Sequence, residues 1–501
     1  MRWSFTLVAV VWSRCNSHPE YKNWLTNEQI SALVAPSKSV QDAFASFLSQ
    51  ESVTYKFTAN KDMIRVTAPL SALEQLFEIE FFNYKHATTG RVVAASLGPY
   101  TVPGALSEHT AFVSGLVGMP TEFSTLPSKY RYRKTEPTNG DDPLAITPDV
   151  IRSAYGLSDV SQPQNVNNSV AVAEFQAQWY SKADLEAFFQ KFVPNSNADK
   201  VYKVVGSNQP QDPGVEASLD IQYVMGVAPG VQTWFYGMAS FNFFSDLTAW
   251  QAELQDAASI PFVHSISYGS QGNYPSESYR SRADQEYAKI GSRGVSIIYA
   301  SGDSGAGCAG FGSLNPSYPA TSEHVTSVGA TRFQQGTSGP EAAVEAFLSG
   351  GGFSHYFTQP SFQKSAVEAY LASGVKFPSS SKFNKNNRAT PDVAALGSEH
   401  FQVVNGGQTI SVGGTSCAAP TFSAVITQIN GELLKAGKNT LGPLNKWLYA
   451  NADILTDITV GSNVCQGEDG GYQCAKGYDA VTGLGTPKYQ AMLASAMSAS
   501  N

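Results

Sequence analysis

Residues 294–307 read Gly294-Val295-Ser296-Ile297-Ile298-Tyr299-Ala300-Ser301-Gly302-Asp303-Ser304-Gly305-Ala306-Gly307. Val295–Ala300 is a continuous apolar run, the kind that is buried on both faces of a parallel sheet. It ends in a glycine-rich loop. A second such run, Val263–Ser267, comes before it, and a helical segment through Ala283–Ile290 lies between the two. Strand, helix and strand in that order predict an α/β domain with a doubly wound, mostly parallel sheet. Sites in such sheets gather in the loops after the carboxyl ends of strands, so Asp303 is a candidate at once. The competing reading is a tight turn that uses Asp and Gly for geometry alone.

The same rhythm extends outward. Val170–Phe175 reads as a strand, and Ser181 with Asp184 caps a helix running to Phe192. Thr409–Val412 reads as a strand, followed by Gly413-Gly414-Thr415-Ser416-Cys417-Ala418-Ala419-Pro420 and a helix to about Lys435. A serine at this junction sits near the positive end of a helix. Its small neighbours admit a substrate backbone. Ser416 is therefore a candidate nucleophile, although Thr-Ser pairs also serve simply as helix caps.

A serine nucleophile needs a base. None of the histidines (His18, His86, His109, His264, His324, His355, His400) lies in a glycine-rich strand-to-helix turn. The alternative base is Glu216, with Asp220 four residues on, in a helical stretch from Val215 to Met225. That spacing puts both carboxyls on one helix face, and the face continues to Tyr223 and Val227. Buried, they would share a proton and work in acid, where a histidine would be charged. Exposed, they are only a solvated acidic pair. A protonated Asp303 could then donate to a developing oxyanion. Near the C-terminus, Asp457-Ile458 and Ala475-Lys476-Gly477-Tyr478-Asp479 set carboxylates in glycine-rich loops, donors that suit Ca²⁺, though without the spacing of an EF-hand.

The N-terminal part differs in composition. Met1-Arg2 before Trp3–Trp12 reads as a secretory signal over residues 1–17. Residues 18–120 read as a small α+β (ferredoxin-like) unit. It has a helix opened by Thr26 and Gln29 as a capping-box variant, helices over Ser39–Gln50 and Leu70–Phe77, and strands over Val53–Thr58 and Met63–Ala68. Residues 121–141 read as a linker, with a basic cluster (Lys129–Lys134) and a cleavable stretch around Gly140–Asp142. Residues 142–501 form the larger domain.

Composition narrows the function. Lys and Arg number 33 against 41 Asp and Glu, a net charge of −8, which argues against a nucleic-acid partner. No apolar run reaches the roughly 20 residues needed to span a bilayer. Five cysteines without CxxC spacing argue against a zinc site. Cys465 and Cys474 could pair with each other, or one of them with Cys308, and the choice stays open at this level. One glycosylation sequon occurs, Asn167-Asn168-Ser169.

Taken together, several words resemble the sedolisin, or serine-carboxyl, peptidase family, in its tripeptidyl-peptidase I branch. They are Ile146–Arg152, Gly214–Asp220, Ala300–Cys308, Ser349-Gly350-Gly351-Gly352-Phe353-Ser354, Thr390–Leu396 and Val481–Pro487, beside the Ser416 word. The resemblance covers essentially residues 19–500. It implies a subtilisin-like fold with Ser416 as nucleophile, Glu216 as general base and acid, Asp220 as its support, and Asp303 in the oxyanion hole. It implies one Ca²⁺ held by Asp457, Asp479 and the carbonyls of Ile458, Ala475 and Gly477; the family often has Gly at position 475. It implies that Ser267-Tyr268-Gly269 and Ser349–Gly351 line the substrate cleft. It also implies an inhibitory propeptide removed in acid, here shorter at its N-terminus than the family pattern. The expected protein is an acid peptidase zymogen of the secretory pathway, lysosomal, vacuolar or secreted. It would act on peptides or unfolded proteins, releasing tripeptides from free N-termini. An endopeptidase of the same family is the alternative, and a catalytically inactive, Ca²⁺-stabilised binding protein a more distant one.

Overall fold

The computed structural model describes residues 22–85, 92–118, 144–158, 167–240, 242–272, 274–307, 314–465 and 470–498. The expected signal (1–17), the linker and its processing site (121–141), and Cys308 lie outside these.

The N-terminal unit runs α1 (Asn27–Val34), α2 (Lys38–Leu48), β1 (Thr54–Phe57), β2 (Ile64–Thr67), α3 (Leu70–Phe77), β3 (Phe82–Lys85), β4 (Val92–Ala95) and the short α4 (Gly104–Ser107). Thr26 and Gln29 close a reciprocal capping box on α1, so local sequence decides where that helix starts. The strands pair as two antiparallel two-stranded sheets, β1 with β2 and β3 with β4. They do not join in the single sheet that a ferredoxin-like unit would build. Each is four residues long and takes the partner nearest in sequence; β1 and β2 meet across a turn in which Lys61 has φ 63°. Leu48, Leu76, Phe77, Ile79 and Leu116 make a small core.

The larger domain begins with α5 (Pro148–Ala154), β5 (Ser169–Glu174), α6 (Lys182–Phe192), β6 (Lys203–Gly206), α7 (Val215–Val227), β7 (Gln232–Gly237), α8 (Phe243–Asp256), β8 (Val263–Ile266), α9 (Glu277–Ser292) and β9 (Ser296–Ala300). It continues through β10 (Thr326–Phe333), β11 (Glu341–Ala343), β12 (Gly352–Thr358), α10 (Lys364–Leu371), β13 (Asn387–Thr390), β14 (Val393–Leu396), β15 (Phe401–Asn405), β16 (Gln408–Val412), α11 (Thr415–Lys435), α12 (Asn445–Ala450), β17 (Leu455–Thr456), β18 (Thr486–Pro487) and α13 (Tyr489–Ser498). The main sheet has the order β11-β10-β9-β8-β5-β7-β6, with β14 also on β10. Every pairing in it is parallel except β10 with β11. This is the doubly wound α/β sheet expected from residues 263–307.

Alternation along β5 shows why both faces are covered. Val170 and Val172 belong to the core on the α7 and α11 side, Ala171 and Ala173 to the core on the α8 and α9 side. Successive strand side chains point to opposite faces. β5 lies between β7 and β8, where the winding reverses, and in open sheets of this kind the crevice forms at that switch point.

The N-terminal unit docks on α8 and α9. The Leu25 amide donates to Ser292 O (2.8 Å), Asn27 Nδ2 to Gln255 O (2.8 Å), and the Ala59 amide to Asp256 Oδ1 (2.9 Å). Asp62 meets Lys289 (2.8 Å) and Arg282 (3.0 Å). The Trp24 ring fills a slot beside Gly294 and Gly442, where any Cβ would come within 2.4 and 2.3 Å of it.

Candidate active site

The site is built at the carboxyl ends of β5, β8 and β9 and the first turn of α11. β5 ends in Glu174, Ser267 follows β8, Asp303 follows β9, and Ser416 is the second residue of α11. α7 brings Glu216 and Asp220 from beneath.

α7 has almost no solvent face: from Glu216 to Val227 every residue is buried. That settles the reading of Glu216 and Asp220 against a solvated surface pair. Tyr223, on the same face, donates to the carbonyls of Ile146 (2.6 Å) and Gln402 (2.9 Å), anchoring the helix. Burial pushes the Cys417 thiol upward, and the charges of Glu216, Asp303 and Asp220 push it further. The charges of all three acids thus reach the residue beside Ser416.

Asp303 Oδ1 accepts from the Thr415 amide (2.7 Å) and the Thr415 hydroxyl (3.0 Å), whose oxygen in turn accepts from the Gly302 amide (3.0 Å). These bonds lock one carboxyl oxygen to the residue before Ser416, so an added proton goes to the other. Burial, only partly offset by Thr415, raises the Asp303 pKa to about 7.

The acid network holds a member that sequence reasoning missed. Glu174 is fully buried. Its Oε2 accepts from the Tyr268 hydroxyl (2.9 Å), while its Oε1 is buried with no hydrogen-bond partner among the described residues. Burial, then repulsion from Glu216, raises its pKa to about 8. Asp220 is raised well above its ordinary value by burial and by repulsion from Glu174 and Glu216, while the Ser267 hydroxyl opposes the shift. Buried carboxyls that repel one another do not all ionise together, so the group keeps a proton. A usable signal was in the sequence: a glutamate ending a continuous apolar strand is an unusual place to bury a charge.

The expected cleft residues are partly turned inward. Ser267 donates to Asp220 Oδ1 (2.9 Å), Tyr268 faces Glu174, and Ser349 Oγ accepts from the Ala330 amide (2.9 Å). These three can offer a substrate only their backbone. A Cβ at Gly350 would lie 2.1 Å from Ser301 O, so only glycine lets the 349–351 segment run beside the Asp303 loop; the Gly350 amide donates to Gly302 O (2.6 Å). At Gly269 a Cβ would stand 2.3 Å from Ser317 Oγ.

Histidine plays no part at this centre among the described residues. His264 is fully buried between Tyr236 and Trp250, and burial lowers its pKa to about 3. His355 meets Leu314 O (2.6 Å), while His324 and His400 lie by Asp284 and Glu399.

At the C-terminal loops, Asp457 Oδ2 accepts from the Gly477 amide (2.8 Å), and Asp479 Oδ2 from the Ala475 amide (3.0 Å). Thr482 Oγ1 spans from Asp479 Oδ1 (3.1 Å) to Ile458 O (3.5 Å). The five expected ligand residues thus lie together. Among the described residues, no cluster of three or more His, Cys, Asp or Glu side chains forms a metal cage. Cys465 is disulfide-bonded while Cys474 is a free, buried thiol, which overturns the Cys465–Cys474 option. Cys474 is buried beside Thr482 Oγ1, 4.0 Å away, and takes no part in a crosslink.

A subtilisin-like sheet, with a serine heading a long central helix and buried carboxyls on the helix packed against it, defines a serine peptidase. The comparisons agree. Residues 9–119 match the Pro-kumamolisin activation domain, and residues 203–453 match the subtilase family. Tripeptidyl-peptidase 1 of Canis lupus familiaris is 35% identical over 491 residues, 95% of this chain and 86% of that protein. The Homo sapiens protein of the same name is 35% identical over 493 residues, with the same coverage. A Pseudomonas sedolisin, a serine-carboxyl proteinase, shares the fold at TM-score 0.56 and 21% identity, over 70% of this chain and 97% of that one. This chain belongs to the sedolisin family of serine peptidases and carries the family's activation domain.

Proposed function

We propose that the chain is the zymogen of an acid-active serine-carboxyl peptidase that releases tripeptides from free N-termini through an acyl-enzyme on Ser416. One observation carries the acid reading: among the described residues buried carboxyls, not histidines, gather at the ends of the strands below Ser416, and burial raises the pKa of Asp303 to about 7 and of Glu174 to about 8. The tripeptidyl specificity rests on the likeness to proteins named for it.

In this scheme the Ser416 hydroxyl oxygen attacks the substrate carbonyl carbon and Glu216 takes its proton. Asp220, hydrogen-bonded in the network, supports Glu216. The carbonyl oxygen becomes an oxyanion, which accepts from the protonated Asp303 and from the Ser416 amide; that amide is in the first turn of α11, where backbone N–H groups lack a helix partner. Glu216 then returns its proton to the leaving amine, and water, deprotonated in the same way, releases the acyl group.

The C-terminal loops fit one Ca²⁺. Burial raises the Asp479 pKa to about 7, and such a carboxylate gains from a cation. Asp457, Asp479 and the carbonyls of Ile458, Ala475 and Gly477 would hold it, with water completing an oxygen shell. The ion would neutralise Asp479 and clamp the two loops. The N-terminal unit would serve as the chain's own inhibitor and be removed in acid. Asn167 is exposed ahead of β5 and open to glycosylation, whereas Asn168 is buried and donates to Thr427 O (2.8 Å). We place the protein in the secretory pathway, lysosomal, vacuolar or secreted. No helix of the described residues is long and apolar enough to cross a membrane.

The test is incubation of the full chain at about pH 4, in the carboxyl range, with N-terminal sequencing of the product. The parent should cut itself and Ser416→Ala should not; an active Ser416→Ala would remove the proposed nucleophile. The matured enzyme should cleave a free peptide and spare its N-acetylated form. Equal rates on both would favour the endopeptidase.

A further inference from the structure

Ser267, expected to line the substrate cleft, turns its side chain to Asp220 and to the Ser416 backbone. It is 1% exposed. Its Oγ lies 2.9 Å from Asp220 Oδ1 and 3.3 Å from the carbonyl oxygen of Ser416. The second contact has a reason in the sequence. In an α-helix the Ser416 carbonyl would accept from the amide four residues on, but that residue is Pro420, inside α11, and proline has no N–H. The missing donor is supplied from another element, the loop after β8.

The first contact settles where Asp220 can carry a proton. Oδ1 is taken by the Ser267 hydroxyl. Tyr268 takes Glu174 Oε2. The two oxygens left, Asp220 Oδ2 and Glu174 Oε1, are buried with no hydrogen-bond partner among the described residues, and the charges of Glu174 and Glu216 bear on Asp220. A proton on Asp220 therefore sits on Oδ2, in the carboxyl network, and not on the oxygen facing β8.

We propose that Ser267 is a positioning residue for the reaction: its single hydroxyl proton, shared between Asp220 Oδ1 and the Ser416 carbonyl, directs the Asp220 proton into the carboxyl network and ties the nucleophile's turn to that network. This rests on the reading of Ser416 and Glu216 given above. The hydroxyl also favours the ionised form of Asp220. Without it the cluster holds its proton more tightly, and the acid limb of the kcat profile moves to higher pH.

The experiment uses enzyme matured from the full chain, with an unblocked hexapeptide as substrate. Ser267→Cys keeps the volume but has only a weak S–H donor; Ser267→Thr keeps the hydroxyl. We expect Ser267→Cys to lower kcat by tenfold or more, leave KM within about twofold, and move the acid limb up by as much as about one pH unit, the size of one hydrogen bond. Ser267→Thr should restore both kcat and the limb. A Cys variant with the parent's kcat and limb would overturn the proposal. So would a raised KM with kcat kept, which marks a substrate contact, or a Thr variant as impaired as Cys, which marks packing alone. Ser416→Ala, assayed alongside, separates this from failure of the wider reading: activity there would refute the nucleophile itself.

Discussion

Asp303 shows how one locked oxygen sets a residue's chemistry. Thr415 occupies Oδ1 twice, so the proton needed for donation is carried on the other oxygen, and burial keeps it there up to about pH 7. The sign follows. The donor is present below pH 7 and lost as pH rises through it, so activity should fall along an alkaline limb near 7. Asp303→Asn cannot ionise and still presents an N–H. We expect it to retain more activity than Asp303→Ala and to lose that limb, while Ala drops kcat by about 10²–10³, the cost of one oxyanion donor. Rate profiles from pH 3 to 8 check this; an unchanged limb in Asn would assign it elsewhere. Ser416 and Asp303 were legible as residues because each sits at a junction of regular elements. Glu174 carried only one local mark, a charge closing an apolar strand; its setting comes from Tyr268 and Asp220, far off in the chain.

Elements divide the same way. The strands and helices from 263 to 307 and the long helix from Thr415 were readable because periodicity and apolar runs are local properties. The pairing of the N-terminal strands was not, because it depends on which edges meet. Docking of that unit on α8 and α9 also lies beyond sequence, and Trp24 is its clearest anchor. The slot by Gly294 and Gly442 accepts the ring only because neither position has a Cβ. Trp24→Ala should weaken docking by about 2 kcal/mol or more, the size of an aromatic anchor. The measurements are thermal unfolding before and after processing, and the rate of self-cleavage in acid. We expect the zymogen's Tm to fall, the matured enzyme's Tm to stay, and cleavage to quicken. Equal Tm shifts in both forms would place the effect outside docking.

At the scale of the molecule, raised carboxyl pKa values make stability depend on pH. Glu174 at about 8, and Asp303 and Asp479 at about 7, bind protons more tightly in the folded than in the unfolded chain. Groups of this kind stabilise the fold fully below their ordinary carboxyl range and lose that contribution as pH rises through the folded values. The matured enzyme should therefore show a higher Tm at pH 4.5 than at pH 7.5, by several degrees. The reverse order would mean that other groups dominate. The proposed calcium ion would add a second term with opposite pH dependence, because Asp479 would bind a cation only when ionised. EDTA should lower Tm at pH 7.5 and have less effect at pH 4.5. No shift at pH 7.5 would remove the proposed ion.

The sequence alone determined the strand–helix–strand alternation from 263 to 307, the serine at the head of α11, the α7 acids on one face and the family likeness. Each follows from spacing within a few residues or from a run of letters. Tertiary structure decided that Glu216 and Asp220 are buried, that Glu174 joins them, that Ser267 and Tyr268 turn to the acids instead of the cleft, and that Cys474 stays a free thiol. Proton sharing and pKa depend on distances of a few ångströms between groups on β5, β8 and α7. Those distances exist only once the sheet is wound.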